Sequence, residues 1–391
     1  LAAQHTEVAY VDAFVLKRKR EQKQVNLGIR HLNDGSPLFR FHVIRNRAYV
    51  GKYFREYGKL NRFGFALGTA LTFAKERIAP KASEWDETAH SPVDVIRETA
   101  PLGMAAIYVP EAKGGSGLSR VDGALIMEAL AYGCPAISAY ISIHNMVAWM
   151  IDTYGNDAIR QRYLPKLCTM EHFASYCLTE PGAGSDAASL RTSARRDGDH
   201  YVLNGEKAFI SGGGASDIYV CMVRTGEPGP RGISCIVVEK GTPGLSFGAQ
   251  EQKLGWKSQP TSMVNFDGAR VPVANRVGAE GEGFRIAMAG LDGGRINIAA
   301  CSLGGAQCAL DKSLAYMKER KAFGKRLDEF QALQFRLADM AIELEAARTF
   351  LWRAAAALDR KDPDATTLCA MAKRFGTDVG FEVANQALQL H

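Results

Sequence analysis

Four short stretches hold the residues whose types and spacing suit chemistry. The first, "YCLTEPGAGSD", runs from Tyr176 to Asp186, from an apolar entry into a Pro and Gly loop that closes on a hydroxyl and a carboxylate. It lacks both the GK[ST] ending of a nucleotide-phosphate loop and the GxGxxG spacing of a dinucleotide fold. Glycines nevertheless let backbone N–H groups come close to a ligand, and consecutive N–H groups cradle an anion or a ring carbonyl. Thr179 and Ser185 add hydroxyls that donate or accept. A surface turn between helix and strand accounts for the same residues. The second stretch, "KAFISGGG", sets Phe209 and Ser211 two apart at the end of a strand, on one side of it, beside three glycines. That is a wall for a planar cofactor, or a core Phe and a turn Ser.

The third stretch is "ERKAFGKRLDEFQALQF". Arg320 opens a break between two helical patterns, Gly324 marks the turn, and Gln331 stands just inside the next helix. A guanidinium grips a phosphate through two hydrogen bonds, where an ammonium would act as a looser point charge. A solvated helix connection reads equally well. The fourth, "GLDGGRINIA", puts Asp292 and Arg295 three apart on one helix face, as a ligand contact or as an intrahelical ion pair.

The surrounding pattern changes twice. From about Phe65 to His172 it is helical: "LTFAKERIAPKASEWD" spaces Leu71, Ala74 and Ile78 as a helix does, and "SRVDGALIMEALAYG" offers Ser119 or Asp122 as a cap before an apolar run ended by Gly133. "YVPEAKGGSGLS" between them is a loop. From Phe173 to Val277, short alternating or β-branched runs such as "HYVLNGEKAFIS", "DIYVCMVRT", "GISCIVVEK", "GLSFGAQEQ" and "SMVNFDGARVP" predict an antiparallel barrel or sandwich. Within the first run, Asn204 and Gly205 predict a hairpin turn. After "GAEGEGF" helices return, and Leu333, Leu337, Met340, Leu344, Ala347 and Leu351 form one apolar stripe, as in a bundle. The fold class is therefore multidomain α+β. Its segments are a basic head at 1–62, a helical domain at 63–172, a β-barrel domain at 173–277 and a helical bundle at 278–391.

The chain has 391 residues and is 47% hydrophobic, enough for a large core divided among domains. The net charge of +6 belongs to the head, where 13 Lys and Arg face 5 Asp and Glu. A uniform nucleic-acid footprint is absent. The head reads as an Arg-rich transit sequence, as foreign sequence without order of its own, or more weakly as a DNA-binding arm. The longest apolar run, "SAYISIHNMVAWMI", is too short to span a membrane and carries His144 and Asn145. Eight scattered cysteines with no CxxC pair suggest neither a metal site nor a disulfide framework, and most read as small buried hydrophobes in a reducing compartment.

Taken together and in order, "YCLTEPGAGSD", "LNGEKAFIS", "GFRIAMAGLDGGRINIAA", "RKAFGKRLDEFQALQF" and "NQALQLH" resemble the acyl-CoA dehydrogenase family of flavoproteins, over all of the chain but its head. The resemblance implies a helical domain, a β-barrel domain and a four-helix C-terminal bundle, with FAD between the last two. It implies a flavin bordered by Tyr176, Cys177, Leu178, Thr179, Gly184 and Ser185, and covered on its other side by Phe209, Ile210 and Ser211. Phe209 stands where some members have Trp. Arg320, Phe323, Phe330 and Gln331 would reach the FAD of a neighbouring subunit in a homotetramer, and Gln389 would begin an adenosine-binding turn. Ser185, Asp292, Gly293, Gly294 and Arg295 would line the acyl-CoA site.

The implied reaction is α,β-dehydrogenation of a short branched-chain acyl-CoA in the mitochondrial matrix, on the route of valine breakdown. Isobutyryl-CoA is the favoured substrate, with 2-methylbutyryl or straight short chains as the alternative. A separate electron-transfer flavoprotein would take the electrons. A carboxylate base would remove the α proton while the β hydrogen leaves as hydride. In the family that Glu follows a Gly-Gly turn and a further helix, beyond the counterpart of "NQALQLH", so no proton acceptor is assigned within residues 1–391. A non-catalytic flavin or acyl-CoA binding form is the other reading.

Overall fold

The computed structural model describes residues 60–391, with side chains from Leu67 onward, so the basic head lies outside the described residues except for its last three positions. Helix α1, Leu60–Phe73, runs into a π turn at Ala74–Ile78 and a short turn at Ala79–Lys81 before α2, Ala82–Glu87, and α3, Val93–Arg97. Ala74 and Ile78 are fully buried, so the predicted spacing does mark the core face. Helix α4 is Arg120–Gly133, and both candidate caps serve it: the Ser119 hydroxyl accepts from the Asp122 N–H while the Asp122 carboxylate accepts from the Ser119 N–H. Helix α5, Pro135–Tyr154, is buried on nearly every side, which explains why its sequence is apolar without being long enough to span a bilayer. No helix among the described residues is long and apolar enough to cross a membrane. Helix α6, Asp157–Cys168, completes the first helical region.

The strands are β1 Ala174–Cys177, β2 Ser193–Asp197, β3 His200–Ser211, β4 Ile218–Arg224, β5 Ile233–Glu239, β6 Leu245–Gln250, β7 Thr261–Pro272 and β8 Arg276–Val277. They form one mostly antiparallel sheet in the order β6-β7-β3-β2-β4-β5-β8, with β1 parallel to β4. The expected closure into a barrel does not occur: β6 and β8 are the two ends of this path, and β8 offers only two residues, paired with β5, before the chain leaves for the next helix. Strand β4 explains an unbroken apolar run. Its Ile218, Val220 and Met222 face a core shared with α5 and α6, whereas Tyr219, Cys221 and Val223 face a second core with β3 and β7.

The hairpin expected at Asn204 and Gly205 is absent. Strand β3 continues through both residues, with a register shift against β7 between Leu203 and Gly205. Gly205 takes φ 131°, and a Cβ there would stand 2.8 Å from the Thr192 Cα, so the glycine serves a close crossing beside a bulge whose extra residue lies in β7, rather than a turn. The Asn204 side-chain oxygen instead accepts from the Gly268 N–H at 2.9 Å.

Helix α7, Gly283–Glu319, extends for 37 residues. A two-stranded corner, β9 Lys321–Ala322 and β10 Lys325–Arg326, leads into α8, Gln331–Arg360, and α9, Ala365–Gln389. Helix α7 packs on α4, α5, α8 and α9, and so joins the first helical region to the last. On α8 the stripe Leu337, Met340, Leu344, Ala347 and Leu351 is buried as predicted, with Leu333 half-buried beside it. Arg348 locks this packing: its guanidinium donates to the Glu128 carboxylate at 2.7 Å and the Gln307 carbonyl oxygen at 3.0 Å. Six of the eight cysteines are buried and all eight are free thiols.

Two substitutions test these local assignments by thermal melting. Ser119→Ala removes a cap worth about 1 kcal/mol. Gly205→Ala forces strain and a backbone clash worth about 1–3 kcal/mol, and lowers the melting temperature by more.

Candidate functional site

The first two predicted stretches meet. Strand β1 delivers "YCLTEPGAGSD" beside the far end of β3, and the Ala208 N–H donates to the Thr179 carbonyl at 2.8 Å. Ser175 donates to the Ser211 carbonyl at 2.6 Å, and its hydroxyl meets that of Ser216, which meets Tyr140 from α5. Tyr176, Cys177, Leu178 and Thr179 therefore lie alongside Phe209, Ile210 and Ser211.

The strongest tie between them is an ion pair that the sequence reading did not single out. Lys207 is fully buried, and its Nζ donates to Glu180 Oε1 at 2.7 Å and to the Leu178 carbonyl at 3.2 Å. Glu180 also accepts from the N–H groups of Arg191 at 2.6 Å and Thr192 at 2.9 Å. A short antiparallel bridge between Glu180 and Ala183 closes the turn. Burial alone would push the Glu180 carboxyl up, but the Lys207 ammonium and the N–H donors outweigh it and hold the group below its ordinary value. The signal was present in the sequence as strand parity. Tyr201, Leu203 and Lys207 share one parity along β3, and the first two are buried core residues.

Past Lys207 that parity breaks. The β3–β7 register shifts between Lys207 and Ile210. Ala208 and Ile210 turn inward, while Phe209 turns out at φ 57° and is 66% exposed. A large aromatic held in the left-handed region and left largely uncovered by its own chain is a ready platform for a flat ring. Gly182 and Gly184 have open space where a Cβ would stand, so the loop backbone is accessible from outside. The residues present thus fit a planar cofactor with an anionic arm, Phe209 supplying a face and the glycine loop supplying N–H groups. Burial raises the Tyr176 hydroxyl, keeping it a neutral phenol beside this wall.

The other predicted residues gather elsewhere. Arg320 and Gln331 are exposed at the β9–β10 corner, where Phe323 stands at the tip, 96% exposed, its ring edge-to-face with Phe330 at 6.5 Å. At this corner the Leu327 N–H donates to the Arg320 carbonyl at 2.9 Å, and Gln334 of α8 donates to the Asp328 carbonyl at 2.7 Å. Gln389 is exposed at the end of α9, next to a terminus held against α7 by His391, whose ring stacks on Tyr316 at 4.6 Å.

On α7, Asp292 accepts from Arg295 at 2.5 Å and from the Thr366 hydroxyl of α9 at 2.7 Å. The intrahelical pair is formed. Gly293 is needed because Arg120 arrives from α4: a Cβ on Gly293 would lie 2.3 Å from its Nη1. That guanidinium is sandwiched by Tyr108 at 4.0 Å and Trp149 at 4.7 Å, a cation–π arrangement the sequence reading missed, since its partners come from three separate segments. A Cβ on Gly294 would stand 3.6 Å from the Met146 sulfur. Ser185 is exposed on the loop. Among the described residues no group of three or more His, Cys, Asp or Glu is arranged to hold a metal.

Comparison with known proteins agrees with this layout. Residues 67–171, 175–269 and 281–391 match the N-terminal, middle and C-terminal domains of acyl-CoA dehydrogenase. The chain is 59% identical over 322 residues to a mitochondrial isobutyryl-CoA dehydrogenase of Bos taurus, covering 82% of this chain and 77% of that protein. It is 57% identical over the same length to its namesake in Dictyostelium discoideum, with the same coverage. The solved structure of butyryl-CoA dehydrogenase from Megasphaera elsdenii superposes with a TM-score of 0.81 at 35% identity, covering 88% of each chain. It shares the three-part architecture described above.

Glu180 yields a pH test. Its folded-state value is depressed, so the stability it contributes is present above the ordinary carboxylate value of 4.5 and is lost as pH falls below that. Melting temperatures measured from pH 7 to pH 3 are expected to fall less steeply for Glu180→Gln than for the parent. At pH 7, Glu180→Ala, which strands the Lys207 charge, is expected to cost about 3–5 kcal/mol.

Proposed function

Because the chain belongs to the acyl-CoA dehydrogenase family, we propose that it catalyses FAD-dependent α,β-dehydrogenation of a short branched acyl-CoA, turning isobutyryl-CoA into methacrylyl-CoA. One structural observation carries the reading: an outward-facing aromatic and a glycine loop with open backbone are tied side by side at one end of the sheet. The choice of acyl group is supported by likeness to the two isobutyryl-CoA dehydrogenases.

In this reading Tyr176, Cys177, Leu178, Thr179, Gly184 and Ser185 border the flavin, and Phe209, Ile210 and Ser211 cover it. FAD, when bound, supplies the acceptor for the β hydrogen. The protein's part is placement and exclusion of water. Phe209 offers its ring face to the cofactor, and the loop N–H groups receive the anionic arm. Asp292, Gly293, Gly294 and Arg295 line the acyl-CoA side together with Ser185.

Neither Glu180 nor Asp292 is available to take the α proton. Glu180 is spent on Lys207 and two backbone N–H groups, and Asp292 is held between Arg295 and Thr366. Arg320, Phe323 and Gln331, exposed at their corner, and the half-buried Phe330 beside them reach the cofactor of a second subunit in a homotetramer, and Gln389 contributes to the adenosine end. Family members act on acyl-CoA and pass electrons to an electron-transfer flavoprotein, which is the acceptor proposed here. The matrix of the mitochondrion is the proposed compartment, as in the two relatives.

The purified protein is expected to be yellow and to bleach when isobutyryl-CoA is added without oxygen. A colourless protein that takes up no added FAD would overturn the reading. One methylene in a hydrophobic pocket is worth about 1–3 kcal/mol, so kcat/KM is expected to favour isobutyryl-CoA over 2-methylbutyryl-CoA by roughly 10-fold or more, and the reverse order would reassign the substrate. Phe209→Gly relieves a left-handed residue, so it is expected to leave the melting temperature of the flavin-free protein equal or higher while weakening FAD binding in a fluorescence titration.

A further inference from the structure

We infer that Lys207 and Glu180 are positioning residues for the cofactor: their buried pair sets the spacing and orientation of the glycine loop relative to Phe209–Ser211. The inference rests on the flavin reading proposed above, and it concerns residues that the proposed site does not include.

Three segments converge on the pair. From β3 comes Lys207, two residues before the outward-facing Phe209. From the loop come the Leu178 carbonyl, which Lys207 holds at 3.2 Å, and the Glu180 carboxylate at 2.7 Å. From the segment leading into β2 come the Arg191 and Thr192 N–H groups, while the Thr192 hydroxyl reaches back to the Glu206 carbonyl at 3.1 Å. The hydrogen bond from Ala208 N–H to the Thr179 carbonyl lies immediately next to this knot. The side chains that would touch the ring, Thr179 and Phe209, are thus each one or two residues away from a member of the pair.

Scaffold alone does not call for charge at this point. The surrounding core is apolar, with Cys177 and Cys221 fully buried beside it, and an apolar pair of similar volume would fill such a space without desolvating two ions. What an apolar pair lacks is direction. An ammonium shared between a carboxylate and the Leu178 carbonyl, and a carboxylate that also takes two N–H groups, fix the loop in rotation as well as in distance. The loop beyond it has only its Glu180–Ala183 bridge before Gly184 and Ser185, so its open backbone depends on how Glu180 is held.

The test compares the parent, Glu180→Gln, Lys207→Met and the double variant, each stripped of flavin and retitrated with FAD well below its own melting temperature. The readouts are the dissociation constant from flavin fluorescence and the visible circular dichroism of the bound flavin. Each single variant is expected to weaken FAD binding at least 10-fold and to alter the dichroism of what binds. The double variant is expected to recover melting temperature relative to Lys207→Met without recovering FAD affinity, which a purely structural pair would not do. If Lys207→Met is unfolded at the assay temperature, Glu180→Gln carries the same expectation, since it keeps the side-chain volume and an acceptor oxygen. Variants that bind FAD within 2-fold of the parent with unchanged dichroism would overturn the inference alone. A parent that binds no FAD would overturn the flavin reading and the inference with it.

Discussion

A lysine ammonium with no exposure, 2.7 Å from a carboxylate that is itself almost completely buried, constrains everything at the working end of the sheet. Both charges are removed from water, so each is tolerable only while the other stays in place. The carboxylate gains further from two backbone N–H groups, which bring in the segment leading into β2. Loop, strand and neighbouring strand therefore cannot move independently without exposing an unpaired charge to an apolar surrounding. That mutual dependence turns a Pro and Gly loop, which would otherwise be a compliant turn, into a surface with a defined position.

Two further features use the rigidity so obtained. One is the bulge after Lys207, which reverses the inward and outward sense of β3 and projects Phe209 while returning Ala208 and Ile210 to the core. The other is Ser175, whose hydroxyl reaches the Ser211 carbonyl and the Ser216 hydroxyl, so that the strand end is braced from β1 and, through Tyr140, from α5. The strand end two residues beyond the exposed aromatic is thus held by a connected polar network, and the left-handed backbone of Phe209 sits between that anchor and the buried Lys207.

Helix α7 plays the corresponding part for the helical regions. Its length lets it touch α4 and α5 along one side and α8 and α9 along others. Small residues permit the closest approaches, as where Gly293 admits the Arg120 guanidinium between two aromatic rings. Polar groups on this helix tie it to its neighbours: Asp292 bridges α7 to α9 through Thr366, and Gln307 receives Arg348 from α8. Such groups position helices, and their hydrogen bonds leave little capacity for proton transfer.

Local order was readable in the sequence wherever the decisive interaction is short-range. The cap of α4 lies within four residues, and the stripe on α8 follows from helical period alone. The motif order also pointed to the family, and with it to the three-part architecture. What period and motif did not reveal depends on partners distant along the chain. Asn204 and Gly205 read as a hairpin because that signal is local, but contacts with Thr192 and with a bulge of β7 at Asp267 and Gly268 keep them in a continuous strand. Sheet closure is a global property of strand lengths and registers, and it failed for the same reason. Nothing local couples Glu180 to Lys207; only folding brings positions 27 residues apart into one buried pair. Composition and spacing determined which residues this protein has for its chemistry. The tertiary structure decided which of them are committed to holding the site, because burial and pairing depend on the surroundings of a side chain rather than its identity.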